Sequence, residues 1–168
     1  MPESSLDYFL GDKPGAELTG TLIAEACQTL RHNRDDYLAQ VGNEPIIAKL
    51  AEVASLWRSP NYELRKIALA ADPEETGFPR AVLAAGLDAC FADWTQENFF
   101  MLLAQEFGDA TRLQSFASQP NRTHSMVHGP QLIAHIAPGN LSVPVFQSIA
   151  FGLLLRSAQF VKLSLIHI

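Results

Sequence analysis

Several things this 168-residue sequence lacks narrow what it can be. It has two cysteines, Cys27 and Cys90. Both fall inside helix-like apolar patterns, so a disulfide framework is not expected and packed, reduced thiols are. It has no long hydrophobic run. The longest, residues 149–155, falls well short of the roughly 20 residues that span a bilayer, and reads as part of a buried helix. The opening Met1-Pro-Glu-Ser-Ser is polar and slightly acidic rather than basic and then apolar, which does not support a secretory signal. An excess of basic charge is also missing. Twelve Lys and Arg stand against 18 Asp and Glu, for a formal charge of −6. Such a field does not draw in nucleic acid or an anionic membrane surface. Neither is expected as a partner, and the cytoplasm is the expected setting. The sequence contains no G-x-G-x-x-G, no Walker lysine loop and no G-x-S-x-G elbow.

Apolar material is plentiful. Hydrophobic residues make up 48% of the chain, enough to bury the core of one globular unit. From about Leu18 to Phe116 they recur at helical spacing. Leu22, Ile23, Ala26 and Leu30 form one stripe, and Ile46, Ile47, Leu50, Val53, Ala54 and Trp57 form the next. Pro60 ends the second helix, because the residue before a proline is pushed out of the α region. Asp72 to Gly77 predicts a break, and Phe78-Pro79 predicts a helix start followed by an amphipathic face of Val82, Leu83, Gly86, Leu87, Cys90 and Phe91. Thr95 is placed to cap the next helix, Glu97 suits its positive end, and Gly108 marks its stop.

The pattern changes after a polar stretch, Ser118 to His128, which reads as a loop. Leu132 to Ala137 is a short apolar run, expected to be a strand covered on both faces. Residues 144–158 are long enough for a helix, and Gln159 to Lys162 begin another strand. Strand, crossover helix and strand make a βαβ unit with parallel strands. Ligands of such sheets sit beyond the carboxyl ends of the strands, where Pro138-Gly139-Asn140 falls. A glycine there allows close backbone approach, the following helix aims N–H groups at the same space, and the Asn140 amide can donate to an oxyanion. His124 and His128 are four apart, but Gly129-Pro130 follows at once and no acidic base accompanies them, so a loop is expected and no metal site. His135, within the apolar strand, is expected to be a packed core residue.

Several ordered motifs together resemble one family. Ser55-Leu56-Trp57-Arg58-Ser59-Pro60-Asn61-Tyr62, Pro73-Glu74-Glu75-Thr76-Gly77-Phe78, Gly86-Leu87-Asp88, and the strand, Pro-Gly-Asn turn, apolar helix and strand ending in Val161-Lys162 are similar to acyl-CoA reductases of the bacterial luminescence type. These belong to the aldehyde dehydrogenase superfamily, and the resemblance covers residues 40 to 162. It implies an α/β fold with a mostly helical region (1–128) followed by the incomplete start of an NAD(P)-binding Rossmann-like domain (129–162). It further implies that Asn140 holds the oxyanion of a tetrahedral intermediate, that Ala137, Pro138 and Gly139 line the nicotinamide cofactor, and that Lys162 reaches its adenosine ribose.

The reaction implied is reduction of a fatty acyl-CoA or acyl-protein thioester to an aldehyde, with NADP or NAD as cofactor and a cysteine as nucleophile. That cysteine is expected outside this chain, since Cys27 and Cys90 have apolar neighbours that disfavour a thiolate, and the 168 residues alone are expected to be inactive. Homo-oligomerisation of the full-length protein and an acyl-transferring partner enzyme are implied as well. The terminal Leu163-Ser-Leu-Ile-His-Ile168 resembles a translated sequencing-library adapter and is expected to be foreign. A two-stranded remnant is expected to leave apolar edges open and to dissolve poorly. The alternative reading of the chain is a helical protein-interaction module with a small α/β appendage and no catalysis.

Overall fold

A computed structural model describes residues 19–118, 122–137 and 143–163. Among these residues, seven α-helices come in the order α1 (Gly20–Tyr37), α2 (Asn43–Arg58), α3 (Glu63–Leu69), α4 (Pro73–Thr76), α5 (Arg80–Ala92), α6 (Gln96–Phe107) and α7 (Val143–Leu154). A short 3-10 helix (Ala110–Leu113) follows α6. Strands β1 (Ala117–Ser118) and β2 (His124–Ser125) pair antiparallel, and β3 (Leu132–Ala137) and β4 (Ala158–Leu163) pair parallel on either side of α7. The molecule is thus helix-rich with two small sheets.

Local chemistry sets most helix ends. The Thr19 hydroxyl accepts from Leu22 N–H at 3.2 Å, and Thr95 accepts from Asn98 N–H at 3.2 Å. Gly108 ends α6 with φ 70°, a positive-φ backbone that glycine adopts without a Cβ clash. The expected break at Asp72 to Gly77 instead contains the single turn α4. Asp72 caps it through Glu74 N–H at 2.9 Å, and Gly77 closes it at φ 72°. Pro79 sits at the N-cap of α5 rather than inside its first turn.

α2 is the central helix. Its Ile46, Ile47 and Leu50 pack with Phe99 and Leu103 of α6, with Leu113, and with Ala150 and Leu154 of α7. The main core therefore draws on residues from both sides of residue 128. A second cluster joins Ala54 of α2 to Cys90 and Phe91 of α5. Trp57 stacks on Phe91 at 5.9 Å between centroids, and Phe146 of α7 lies 5.8 Å from Phe91. Aromatic pairs at such separations add to area burial and lock α2, α5 and α7 together.

Three expectations are corrected. β3 is covered along one face and bare toward the carboxyl end of the other. His135 and Ala137 are buried, whereas Ala134 is exposed and Ile136 is 80% exposed. Two strands cannot cover both faces as a wide doubly wound sheet does. The polar stretch before it is not wholly loop, since it contains β2, which pairs with β1.

The helix expected over 144–158 stops at Leu154. Arg156 takes φ 54°, its N–H bonds Leu153 C=O at 2.9 Å, and Ser157 N–H bonds Gly152 C=O at 2.9 Å. This is the pair of bonds of a Schellman termination, with arginine where glycine usually stands. Gly129 makes room for that turn, because a Cβ there would lie 2.3 Å from the Leu155 carbonyl oxygen.

Candidate functional site

The parallel register sets Ile136 opposite Lys162 and Ala137 opposite Leu163. Ala137 and Lys162 therefore meet at the carboxyl edge of the sheet, and α7 begins on the same side at Val143. Pro138, Gly139 and Asn140 lie outside the described residues. Side chains alternate along a strand and partnered residues share a face, so Lys162 comes off the sheet with Ile136, and Ala137 comes off the opposite face with His135. Ala137 is buried. Lys162 is exposed, and its ammonium makes no hydrogen bond or ion pair among the described residues.

Behind this edge a polar cluster ties three elements together. Gln159 of β4 donates from Nε2 to the Ser157 carbonyl at 2.7 Å, so its Oε1 faces His135 Nε2, which therefore carries the proton. His135 Nδ1 then accepts from the Ser148 hydroxyl of α7 at 3.0 Å. His135 is a packed histidine, as expected, with both ring nitrogens satisfied. Gly152 makes the arrangement possible, since a Cβ there would lie 2.1 Å from Gln159 Nε2.

Two buried guanidiniums hold the surroundings. Arg156 donates to Val41 C=O at 2.9 Å, Leu154 C=O at 2.8 Å and Asn43 Oδ1 at 2.5 Å, and its own carbonyl accepts from Arg34 Nε at 2.7 Å. Asn43 continues the chain to Ala110 C=O at 2.8 Å. Burial pushes the Arg156 pKa down, because this cation has carbonyl partners and no carboxylate. Arg65 of α3 donates to Trp57 C=O at 2.6 Å and pairs with Asp88 of α5 at 2.8 Å. Sequence reading missed both arginines. The signal for Arg156 was a polar residue just after a helix where a glycine stop was absent.

The cysteines sit on α1 (Cys27, half-buried) and α5 (Cys90, buried). Burial pushes the Cys90 thiol up from its ordinary range, away from a reactive thiolate. His124 lies in β2, bonded to the Ser118 hydroxyl at 3.0 Å rather than on a helix face with His128. Among the described residues no group of three His, Cys, Asp or Glu is placed to hold a metal ion, and no helix is long and apolar enough to cross a membrane.

The family model described as "Acyl-CoA reductase (LuxC)" matches residues 38–166. The chain belongs to that acyl-CoA reductase family. The match takes in α2 through β4, the βαβ unit and its carboxyl edge included, and begins just after α1. α1, which precedes the matched span, packs against β3 and β4. No curated protein and no solved structure matches the chain.

Proposed function

We propose that this acyl-CoA reductase family chain contributes the carboxyl-edge half of a site that reduces a fatty acyl thioester to an aldehyde with NADPH or NADH. The observation that carries the reading is the convergence of Ala137 and Lys162 at one sheet edge, within the span that matches the family. The described positions fit a phosphorylated nucleotide cofactor: a buried small residue ends one strand, and an exposed ammonium, unpaired among the described residues, stands one residue before the end of its neighbour. The cofactor supplies hydride when bound.

Lys162 would hold the ribose or its 2′-phosphate by charge and hydrogen bonding. Ala137 lets the strand end approach closely. The Asn140 amide would donate to the carbonyl oxygen as negative charge grows on it, a contribution of about 3 kcal/mol to barrier lowering. The Ser148–His135–Gln159 cluster keeps α7 seated on the sheet.

The nucleophile would be a cysteine outside these 168 residues, because Cys90 is buried with a raised pKa and neither thiol lies on the elements that form the edge. On this reading an acyl donor enzyme and oligomer contacts would be supplied by other chains.

The test is to sequence the genomic frame beyond codon 163 and assay the encoded protein for acyl-CoA-dependent NADPH oxidation. Activity that Asn140→Ala lowers about 100-fold or more is expected. A frame without a further cysteine, or an Asn140→Ala enzyme of full activity, overturns the reading.

A further inference from the structure

The two faces of the β3–β4 sheet are unequally covered. α7 is tied to the face of His135 and Gln159, which leaves α1 the face of Ala134, Ile136, Ala158, Phe160 and Lys162. Ala158 is buried there and Phe160 half-buried. Ala134 is exposed, and Ile136, at 80%, is the most exposed large apolar side chain among the described residues. The bare part is the carboxyl half of β3. Charges around it are few, since the strands place Lys162 on this face and the first half of α1 contributes Glu25, so apolar contact selects the occupant.

The course of α1 decides which segment arrives there. Arg34, in its last turn, donates to the Arg156 carbonyl at 2.7 Å, which pins the end of α1 beside the amino end of β4. α1 also packs against both strands, with Ala26 fully buried and Leu22, Cys27 and Leu30 half-buried. Its 18 residues extend roughly 27 Å, longer than the roughly 20 Å of a six-residue strand, so its start at Gly20 lies toward the carboxyl edge. Ile23, in its first turn, is itself 36% exposed.

Upstream of α1 the sequence supplies a matching apolar stretch. Leu6, Tyr8, Phe9 and Leu10 stand close together within residues 1–18, which are otherwise rich in acidic residues, glycine and proline. Gly11, Pro14 and Gly15 then favour a reversal of the chain before α1. The eight residues 11–18 span up to about 26 Å when extended, enough to return residues 6–10 from the start of α1 to any point of β3.

We propose that residues 6–10 fold back over the bare half of this face and pack on Ile136 and Phe160 of the same chain. The occupant is a segment that precedes the family match, which begins at residue 38, and the inference does not rest on the acyl-thioester reading. Ordering five residues offsets much of what their burial gains, so docking adds little to global stability and calls for a local probe. Its effect is to cover the face against another copy of the chain.

The test places a nitroxide on Ser5→Cys in the full 168-residue chain, with Cys27→Ser so that the buried Cys90 is the one other thiol, and reads the broadening of backbone amide signals. Ala134 and Ile136 should lose intensity. Leu64 and Ile67 of α3, also exposed but packed on α2 and α5 rather than on the sheet, should not. Phe9→Asp combined with Leu10→Asp should restore the lost signals, and amide dispersion establishes that each variant folds. A mixture of nitroxide-labelled chain and unlabelled, isotope-enriched chain tests for a second copy as the source of the segment, and broadening in that mixture overturns the proposal. So do undiminished signals at Ala134 and Ile136, equal loss at Leu64 and Ile67, or no recovery in the aspartate variant. In the unsubstituted chain, removal of residues 1–18 should lower the concentration at which light scattering detects association; an unchanged threshold overturns the proposal as well.

Discussion

Replacing Arg156 with methionine keeps much of the side-chain volume and removes three donors at once. The partners left behind are Val41 C=O, Leu154 C=O and Asn43 Oδ1, all within a buried seam between α2 and the α7–β4 turn. Each orphaned acceptor costs about 1–3 kcal/mol. Against this, the parent holds a desolvated cation, whose lowered pKa records the penalty; the strain of a non-glycine residue at φ 54°, roughly 1–2 kcal/mol, is carried by methionine as by arginine and does not enter the difference. The balance for Arg156→Met is a loss of about 3–5 kcal/mol, the usual result of removing one member of a buried charged network.

Arg156→Gly separates the two contributions, because glycine adopts the left-handed turn freely. It should recover roughly 1–2 kcal/mol relative to methionine. Lysine at the same position keeps the charge but has a point ammonium in place of a fork, and should fall between methionine and wild type. Urea unfolding followed by circular dichroism reads this directly. With a slope of about 1–3 kcal/mol/M, the methionine variant should lose on the order of 1–5 M in midpoint at unchanged slope. A midpoint within about 0.2 M of the parent would refute the reasoning by showing that desolvation cancels the three bonds. A glycine variant no more stable than methionine would refute the strain component alone.

Gly152→Ala should destabilise by about 1–3 kcal/mol despite alanine's better helix propensity, since its Cβ meets the Gln159 amide, and the cost should shrink in a Gln159→Ala background when measured as a double-mutant cycle. Cys90 should make stability fall as pH rises through 9.0: the unfolded thiol ionises there, while the buried one, with its pKa raised by desolvation, keeps its proton. The unfolded state then binds fewer protons, so the slope is negative. Urea midpoints at pH 7.5 and 10 under reducing conditions should show a larger drop for the parent than for Cys90→Ala, and equal drops would count against it. Ile136→Lys, at an 80% exposed position on an uncovered sheet face, should change stability by under about 0.5 kcal/mol and raise the monomeric fraction in light scattering. An unchanged aggregation threshold would show that this face is not the sticky one.

Where local chemistry decides, sequence reading matched the fold closely. Pro60 stopping α2 at Arg58, Thr95 and Gly108 bracketing α6, and the apolar run of β3 were all visible as patterns, because caps and periodicity act within one or two turns of chain. The β1–β2 hairpin was not, since two-residue strands carry no alternation to detect. The end of α7 was also illegible. Leu155-Arg156-Ser157 has no glycine, and the stop depends on carbonyls more than a hundred residues away that reward an arginine in an unfavourable conformation. At the carboxyl edge, Ala137 and Lys162 were named from motif position, and their convergence follows from strand register. That they leave opposite faces of the sheet required the pairing itself.

The two ends of the small sheet are built for different purposes. At the amino end of β4, the Arg156 network, the tight packing of Gly129 on Leu155 and the Arg34 contact stitch the turn into α1 and α2, leaving no free polar side chain on Arg156 for a ligand. At the carboxyl end Lys162 is exposed and makes no hydrogen bond or ion pair among the described residues, and Ile136 beside it is 80% exposed. Stability concentrated at one end allows the other to carry unpaired charge and uncovered surface. That asymmetry is what a parallel βαβ unit needs if its strand ends are to receive a ligand. It also gives the predicted variants opposite signatures: substitutions at Arg156 should move the unfolding midpoint and leave ligand affinity in the folded fraction intact, while Lys162→Ala should do the reverse. If Lys162→Ala instead unfolded the chain, the carboxyl edge would have to be reassigned as structural.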